Sequence, residues 1–257
     1  MIFAGCSFTW GQGLYYYSGM KTLVDQRGSS FDQKLISPAH LKYMQAFRFP
    51  RLVANHFKTF EIVKRNNGGS DDSAISFINN ILFDGGHMED GAFDTSEISH
   101  VILQSSKVPR NKFEFELDGE KYITDFGKDS KKLIEWISRN DLDFDKAFDL
   151  FRNQVAARIK SSFERYESLG IKCRILSWPV DMIDIFKNDP YLSSRFIQLM
   201  YKDQTYDCID DLIANNSGML IVDDKENLSS FRDDSHPSLE CHRIIASSII
   251  ANLRGDI

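Results

Sequence analysis

Residues 1–11 read MIFAGCSFTWG, and they carry the first indication of an α/β sheet. The apolar run at Ile2–Ala4 predicts a buried strand, which passes directly into Gly5-Cys6-Ser7. A strand that ends in a small residue and a serine places a hydroxyl at its carboxyl end, where open α/β sheets carry their sites. Backbone N–H groups just beyond such a strand can stabilise an oxyanion. A helix-capping role for Ser7 is the alternative interpretation of this turn.

Four more apolar runs follow along the chain. Together with the first they predict five buried strands, at residues 2–4, 60–64, 100–104, 172–177 and 219–222. Helical periodicity predicts helices at residues 50–56, 73–82, 145–169, 190–200, 206–215 and 239–253. Strands that alternate with helices favour a mostly parallel sheet covered on both faces. We therefore predict one flavodoxin-like, three-layer α/β/α domain over residues 1–257, with a mostly parallel five-stranded sheet.

Two segments depart from this alternation and are predicted to be insertions, at about 15–44 and 111–145. The first is long, polar and aromatic. In the second, residues 113–126 alternate around Asp118-Gly119, which is a strong signal for a β-hairpin. We expect this hairpin to project from the sheet as a ribbon, and a charged helix to follow at residues 128–140.

Composition narrows the class of protein. The chain has 257 residues, of which 42% are hydrophobic, and this is enough for one large core. Its formal charge of −6 argues against a general nucleic-acid binder. No apolar run approaches the ~18 residues of a membrane helix, and no secretion signal is visible. With four cysteines and no CxxC pair, we expect a soluble protein of a cytoplasm, its own or a host cell's, compatible with a virion-associated role.

A second motif lies near the carboxyl end of the sequence, where Asp233-Asp234-Ser235-His236-Pro237 precedes the last predicted helix. Asp233 can fold back onto His236 Nδ1, which leaves Nε2 free as a general base for a serine. Pro237 suits the first turn of a helix. An ordinary helix cap rich in Asp and Ser is the alternative.

Together, the two motifs resemble the SGNH (GDSL-like) hydrolase family. The first family block is Gly-Asp-Ser, and here it is Gly5-Cys6-Ser7; the last is Asp-x-x-His-Pro, and here it is residues 233–237. The resemblance implies a triad of Ser7, His236 and Asp233 that cleaves an ester without a cofactor. Small O-acyl groups on carbohydrates are common substrates in the family. A small-molecule or glycan ester is therefore the expected partner, with no nucleic acid and no membrane.

The oxyanion hole of that family also uses two inner blocks. Its second block contributes a glycine N–H, which we assign to Gly69, with Gly68 as the alternative. Its third block, Gly-x-Asn-Asp, has no match after residues 100–104. Gln104 is therefore the candidate amide donor, beside the N–H of Ser7. Losing one oxyanion donor typically costs on the order of a hundredfold or more in rate.

Divergent, phage-type members of the family carry a Ser/Thr-x-x-x-Arg pattern in the third-block loop, and Ser106 and Arg110 match its spacing. These two side chains are candidates for substrate binding, since an Arg fork suits a carboxylate or phosphate. Trp10 is a third candidate, as an aromatic surface for a sugar ring. Asp71 and its neighbour Asp72 are interpreted as solvated acids or helix caps.

Other chemistries find little support. His236, Cys241 and His242 are close in sequence but lack a second ligand group, so no metal site is predicted. Gly11-x-Gly13 lacks the remaining residues of a dinucleotide or phosphate loop. Two alternatives to a hydrolase stay open, namely a non-catalytic SGNH-like module for glycan binding or assembly, and an O-acyltransferase with the same triad.

Overall fold

The computed structural model describes residues 1–6, 9, 11, 14, 17, 37–64, 69–84, 95–126, 130–221 and 236–254. The strands in these ranges are β1 Ile2–Ala4, β2 Ile62–Val63, β3 His100–Ser105, β4 Lys112–Leu117, β5 Glu120–Asp125, β6 Lys172–Ser177, β7 Phe196–Ile197, β8 Leu199–Tyr201 and β9 Gln204–Tyr206. Five of them form a parallel central sheet in the order β2–β1–β3–β6–β7. The predicted fold class is therefore confirmed.

Helices cover both faces of this sheet. Their bounds are α1 Pro38–Phe47, α2 Phe49–His56, α3 Asp71–Leu82, α4 Lys131–Arg139, α5 Phe144–Glu167, α6 Ile183–Asn188, α7 Pro190–Ser193, α8 Ile209–Asn215 and α9 Leu239–Leu253. Successive strand residues point to opposite faces. Accordingly, Phe3 packs in a core with α2, α8 and α9, while Ile2 and Ala4 pack in a second core with α3 and α5.

The fifth strand of the sheet is not the predicted one. Phe196–Ile197 pairs in parallel with Ile175 and Leu176 of β6, inside the range that was predicted to be a helix. In the described part of the predicted range, residues 219–221, Leu220 forms an isolated antiparallel bridge to Pro237, and no strand of the central sheet is found there. The run is apolar because Met219 and Ile221 are buried in the first core, and burial alone does not make a sheet strand.

The hairpin predicted around Asp118-Gly119 is present as β4–β5. Both turn residues have positive φ, 55° at Asp118 and 77° at Gly119, as a two-residue type I′ turn requires. However, the ribbon does not project freely. One face of β4 is buried in the second core, and Gln154 of α5 bonds both backbone groups of Glu114, at 2.7 Å and 3.2 Å.

Most of the first predicted insertion, 15–44, lies outside the described residues, apart from positions 17 and 37–44. There, Ser37 caps α1 and Pro38 occupies its first turn. In the described ranges, no helix combines the length and the apolarity needed to cross a bilayer. All four cysteines are buried, and none of them forms a disulfide.

Candidate active site

The structure describes some of the predicted site residues and not others. Those outside the described residues are Ser7, Trp10 and Asp233, together with the alternative Gly68. Those it describes are Gly69, Gln104, Ser106, Arg110 and His236. The geometry of the site is therefore built from the segments that flank Ser7 and Asp233.

The end of β1 packs tightly against the end of β3. A β-carbon at Gly5 would lie 2.8 Å from Gln104 Cβ and 2.3 Å from Thr9 Oγ1, so only glycine fits. Thr9 Oγ1 donates to Gln104 Oε1 at 2.6 Å, and Gln104 Nε2 donates to Cys6 Sγ at 3.2 Å. The buried Gln104 amide thus holds the residues on both sides of Ser7. One of its two N–H hydrogens is taken by Cys6, which leaves one for any other acceptor.

Gly69 lies against the same turn. A β-carbon there would come within 3.0 Å of the Gly5 carbonyl oxygen and 2.7 Å of Lys64 Nζ. The residues assigned to the first and second blocks are therefore neighbours, as the predicted site requires. Lys64 is 5% exposed, and its ammonium donates to Ser73 Oγ at 2.6 Å.

A buried carboxylate joins the start of α3 to the loop after β3. Asp71 is 1% exposed; its Oδ1 accepts from the Ser106 N–H and its Oδ2 from Asn111 Nδ2, both at 2.9 Å. Asn111 Oδ1 in turn accepts from the Asp72 N–H at 3.2 Å. This network fixes the backbone of the third-block loop. The interpretation of Asp71 as a solvated acid or cap is wrong.

Burial shifts the pKa values of Asp71 and Lys64. It raises the pKa of the Asp71 carboxyl to about 7, although the Ser106 and Asn111 hydrogen bonds act in the opposite direction. Burial also lowers the pKa of the Lys64 ammonium, while Cys6 and Asp71 act to raise it. Lys64 and Asp71 therefore form a pair of ionisable groups near Gly5 and Gly69.

Ser106 and Arg110 have different surroundings in the loop after β3. Ser106 is 1% exposed, and its hydroxyl makes no hydrogen bond within the described part of the chain. Arg110 is exposed, and its guanidinium stacks over the Trp178 ring at 4.8 Å, with Lys107 Nζ 5.2 Å from the same ring. Trp178 directly follows β6, so the two cations also lie at the carboxyl edge of the sheet.

The start of helix α2 contacts both the segment after β1 and helix α9. A β-carbon at Gly11, where φ is +85°, would lie 2.8 Å from Arg48 Cβ. The next residue, Phe49, donates its N–H to His242 Nδ1 at 3.3 Å, and the two rings stack 5.8 Å apart. Hence the segment four residues after Ser7 and the helix that follows His236 both contact the start of α2.

The direction of α9 brings His236 toward the carboxyl edge. Asn252, near the end of α9, accepts from Arg174 Nε at 2.9 Å, in the first half of β6. Helix α9 has 15 residues and is about 22 Å long, which is close to the length of a six-residue strand such as β6. Since α9 ends beside the first half of β6, its first turn extends toward the carboxyl edge, and His236 precedes that turn.

Well-formed backbone contacts hold His236 itself. Its carbonyl accepts from the Ile221 N–H at 3.1 Å, and Ser238 bonds the Met219 carbonyl at 2.8 Å while its hydroxyl caps α9. Its neighbour His242 is fully buried, and burial lowers the pKa of that imidazole to about 3. Neutral His242 accepts the Phe49 N–H at Nδ1, so this buried imidazole serves to attach α9 to the start of α2.

The sequence analysis did not assign Lys64 and Asp71 to the candidate site. The partners of Asp71 lie 35 and 40 residues away, and no local spacing predicts them. Among the residues described, no group of three or more His, Cys, Asp or Glu side chains is arranged to hold a metal ion.

Comparisons with known proteins add little to this geometry. No model of a known protein family and no curated protein sequence matches the chain. Among solved structures, the chain is similar to a Desulfitobacterium hafniense protein assigned to the G-D-S-L family of lipolytic proteins, with 12% identity, a TM-score of 0.44 and 98% of each chain covered. Similarity at this level does not transfer an activity, so the functional assignment depends on the site itself.

Proposed function

We propose that this chain is a serine hydrolase that cleaves an O-acyl ester, with Ser7 as nucleophile and His236 and Asp233 as its charge partners. The observation that carries the proposal is the pair of contacts at the start of α2. Gly11 lies against Arg48, and Phe49 bonds His242, so the segments that follow Ser7 and His236 converge there. This convergence supports the proposal, because acyl transfer requires an early hydroxyl beside a late imidazole, and open parallel sheets carry their sites at the carboxyl edge.

In the proposed reaction, Ser7 Oγ attacks the acyl carbon, and His236 takes the hydroxyl proton. His236 then returns this proton to the leaving alcohol as the C–O bond breaks, while Asp233 orients the imidazole and stabilises its charge. A water molecule, deprotonated by His236, then attacks the acyl carbon; the bond from Ser7 Oγ to the acyl group breaks, His236 returns the proton to Ser7 Oγ, and the carboxylic acid leaves. The N–H groups of Ser7 and Gly69 hold the oxyanion, and the remaining N–H of Gln104 is a further donor.

For the substrate we propose a small O-acyl ester, on a carbohydrate. Arg110 is exposed and braced by the Trp178 ring, so its fork can reach a carboxylate or phosphate on the rest of the substrate. Trp10 is proposed as a surface for the sugar ring.

Covalent labelling with a fluorophosphonate, followed by peptide mapping, tests the nucleophile. We expect a single adduct on the peptide that contains Ser7, lost in Ser7→Ala and strongly reduced in His236→Gln. Ser138→Ala and His56→Gln change an exposed serine and an exposed histidine, and both variants should label like the unmodified protein. Labelling that does not depend on Ser7 would refute the proposal.

Turnover of para-nitrophenyl acetate separates a hydrolase from the two alternatives. A hydrolase releases nitrophenol at a rate that falls by several orders of magnitude in Ser7→Ala. An acyltransferase would label equally but need an added hydroxyl acceptor for sustained turnover, and a non-catalytic module would neither label nor turn over.

A further inference from the structure

The loop after β3 contains a buried polar group that the proposed function leaves unused. Buried hydroxyls in folded proteins nearly always have a hydrogen-bond partner, and an unpaired one destabilises the fold. Ser106 Oγ is such a group: its residue is 1% exposed, and within the described ranges the hydroxyl bonds no protein atom.

Its immediate neighbour behaves differently. Ser105 is also fully buried, but its hydroxyl lies 3.2 Å from Ser177 Oγ, whose own hydrogen bonds the Pro179 carbonyl at 2.7 Å. Two adjacent buried serines therefore differ in one respect. The first is satisfied inside the protein, whereas the second, just beyond the carboxyl end of β3, bonds no atom of the described residues.

A hydrogen bond from its backbone also fixes the position of Ser106. Asp71 accepts its backbone N–H at 2.9 Å, and Asn111 bonds the other oxygen of that carboxylate. Two residues earlier, near the end of β3, Gln104 bonds Thr9 and Cys6 on the two sides of Ser7. A rigid donor held beside the nucleophile's turn is what stabilisation of a developing negative charge requires.

We infer that the Ser106 hydroxyl donates to the oxyanion formed when Ser7 attacks the ester, with Asp71 as the residue that positions it. This inference rests on the proposed function and deepens it. The hydroxyl pairs only while the tetrahedral intermediate exists, so the interaction favours the transition state over the bound ester. Within the described part of the chain, no protein group competes with the oxyanion for this donor.

Replacement of Ser106 by alanine tests this assignment, with Ser105→Ala as the matched control. We expect Ser106→Ala to lower kcat for para-nitrophenyl acetate on the order of a hundredfold with little change in KM. Because the change removes a buried hydroxyl that bonds no described residue, the Tm should stay the same or rise by a few degrees. Ser105→Ala breaks a satisfied contact, so it should lower Tm and leave kcat within a few-fold.

A transition-state analogue provides a second readout. A methylboronic acid forms a tetrahedral adduct with a nucleophilic serine, and Ser106→Ala should weaken its inhibition by a factor similar to the loss in kcat. In Asp71→Asn, hydrogen exchange at the Ser106 amide should accelerate and kcat should fall, whereas Ser106→Ala leaves that amide protected.

The outcomes separate the two proposals. If fluorophosphonate labels Ser7 and Ser106→Ala keeps full kcat and boronate affinity, the hydrolase assignment stands and the donor role of Ser106 is refuted. A raised KM with unchanged kcat would also refute it, since it would mean that Ser106 binds the substrate equally in both states. If Ser7 is not labelled at all, the proposed function itself fails.

Discussion

Replacing Asp71 by asparagine should change how the stability of the protein depends on pH. The carboxyl is fully buried, and although Ser106 and Asn111 donate to it, burial raises its pKa from 3.8 to about 7. Asp72 adds to this shift, and the Arg158 guanidinium opposes it. Lys64 also faces the group, since the Asp71 charge acts on the pKa of its ammonium.

The sign and size follow from proton linkage. Between about pH 4 and pH 7 the folded protein binds a proton at Asp71 that the unfolded chain has released, so the free energy of unfolding falls as pH rises through this window. Raising the Asp71 pKa from 3.8 to about 7, at ~1.36 kcal/mol per pH unit, lowers the free energy of unfolding by about 4 kcal/mol across this window. An asparagine does not titrate, so this contribution disappears in Asp71→Asn.

Urea unfolding of both proteins between about pH 4 and pH 8 measures the effect. The difference in unfolding free energy, wild type minus Asp71→Asn, should decrease by about 4 kcal/mol as pH rises and then level off. Asp145→Asn, which removes an exposed acid at the start of α5, controls for the change in net charge and should show little of this trend. A difference that is flat, or that grows with pH, would refute the argument from burial.

Three other changes test separate parts of the structure. Gly69→Ala puts a methyl group 3.0 Å from the Gly5 carbonyl and 2.7 Å from Lys64 Nζ, so esterase activity should fall at least tenfold, and unchanged activity would contradict the close packing of the two turns. Ser238→Ala removes the hydroxyl that caps α9, and should cost about 1 kcal/mol of unfolding free energy in urea titrations. Gly119→Ala requires an alanine at φ 77° in open space, so calorimetry should show a lower Tm through about 1 kcal/mol of backbone strain; an unchanged Tm would argue against the positive φ.

The sequence predicted the elements whose signal is local. The bounds of β1, β6 and α9 match the predicted ranges, and the Asp118-Gly119 turn marks the hairpin. The fifth strand was missed because a two-residue strand at Phe196–Ile197 has too few residues to show a period, while the apolar run at 219–222 is buried without joining the sheet.

The sequence indicated the glycines of the candidate site, but not the buried polar residues that surround them. The family resemblance assigned Gly5 and Gly69 to one site, and the structure places Gly69 against the Gly5 carbonyl, while the oxyanion role of Gly69 stays a prediction. The burial of Asp71 depends on Asn111, 40 residues later, and on how the third-block loop folds over α3. Propensity carries no information on such long-range pairing, so the acid looked like an ordinary member of a helix start.

The outer strands of the central sheet have a consequence for behaviour at high concentration. β2 and β7 form the two edges, and each is only two residues long. A long open edge offers unpaired backbone groups to another chain, and such pairing leads to aggregation. Within the described residues, each border of the sheet offers few such groups to a foreign strand, and this disfavours association of two molecules through their sheet edges.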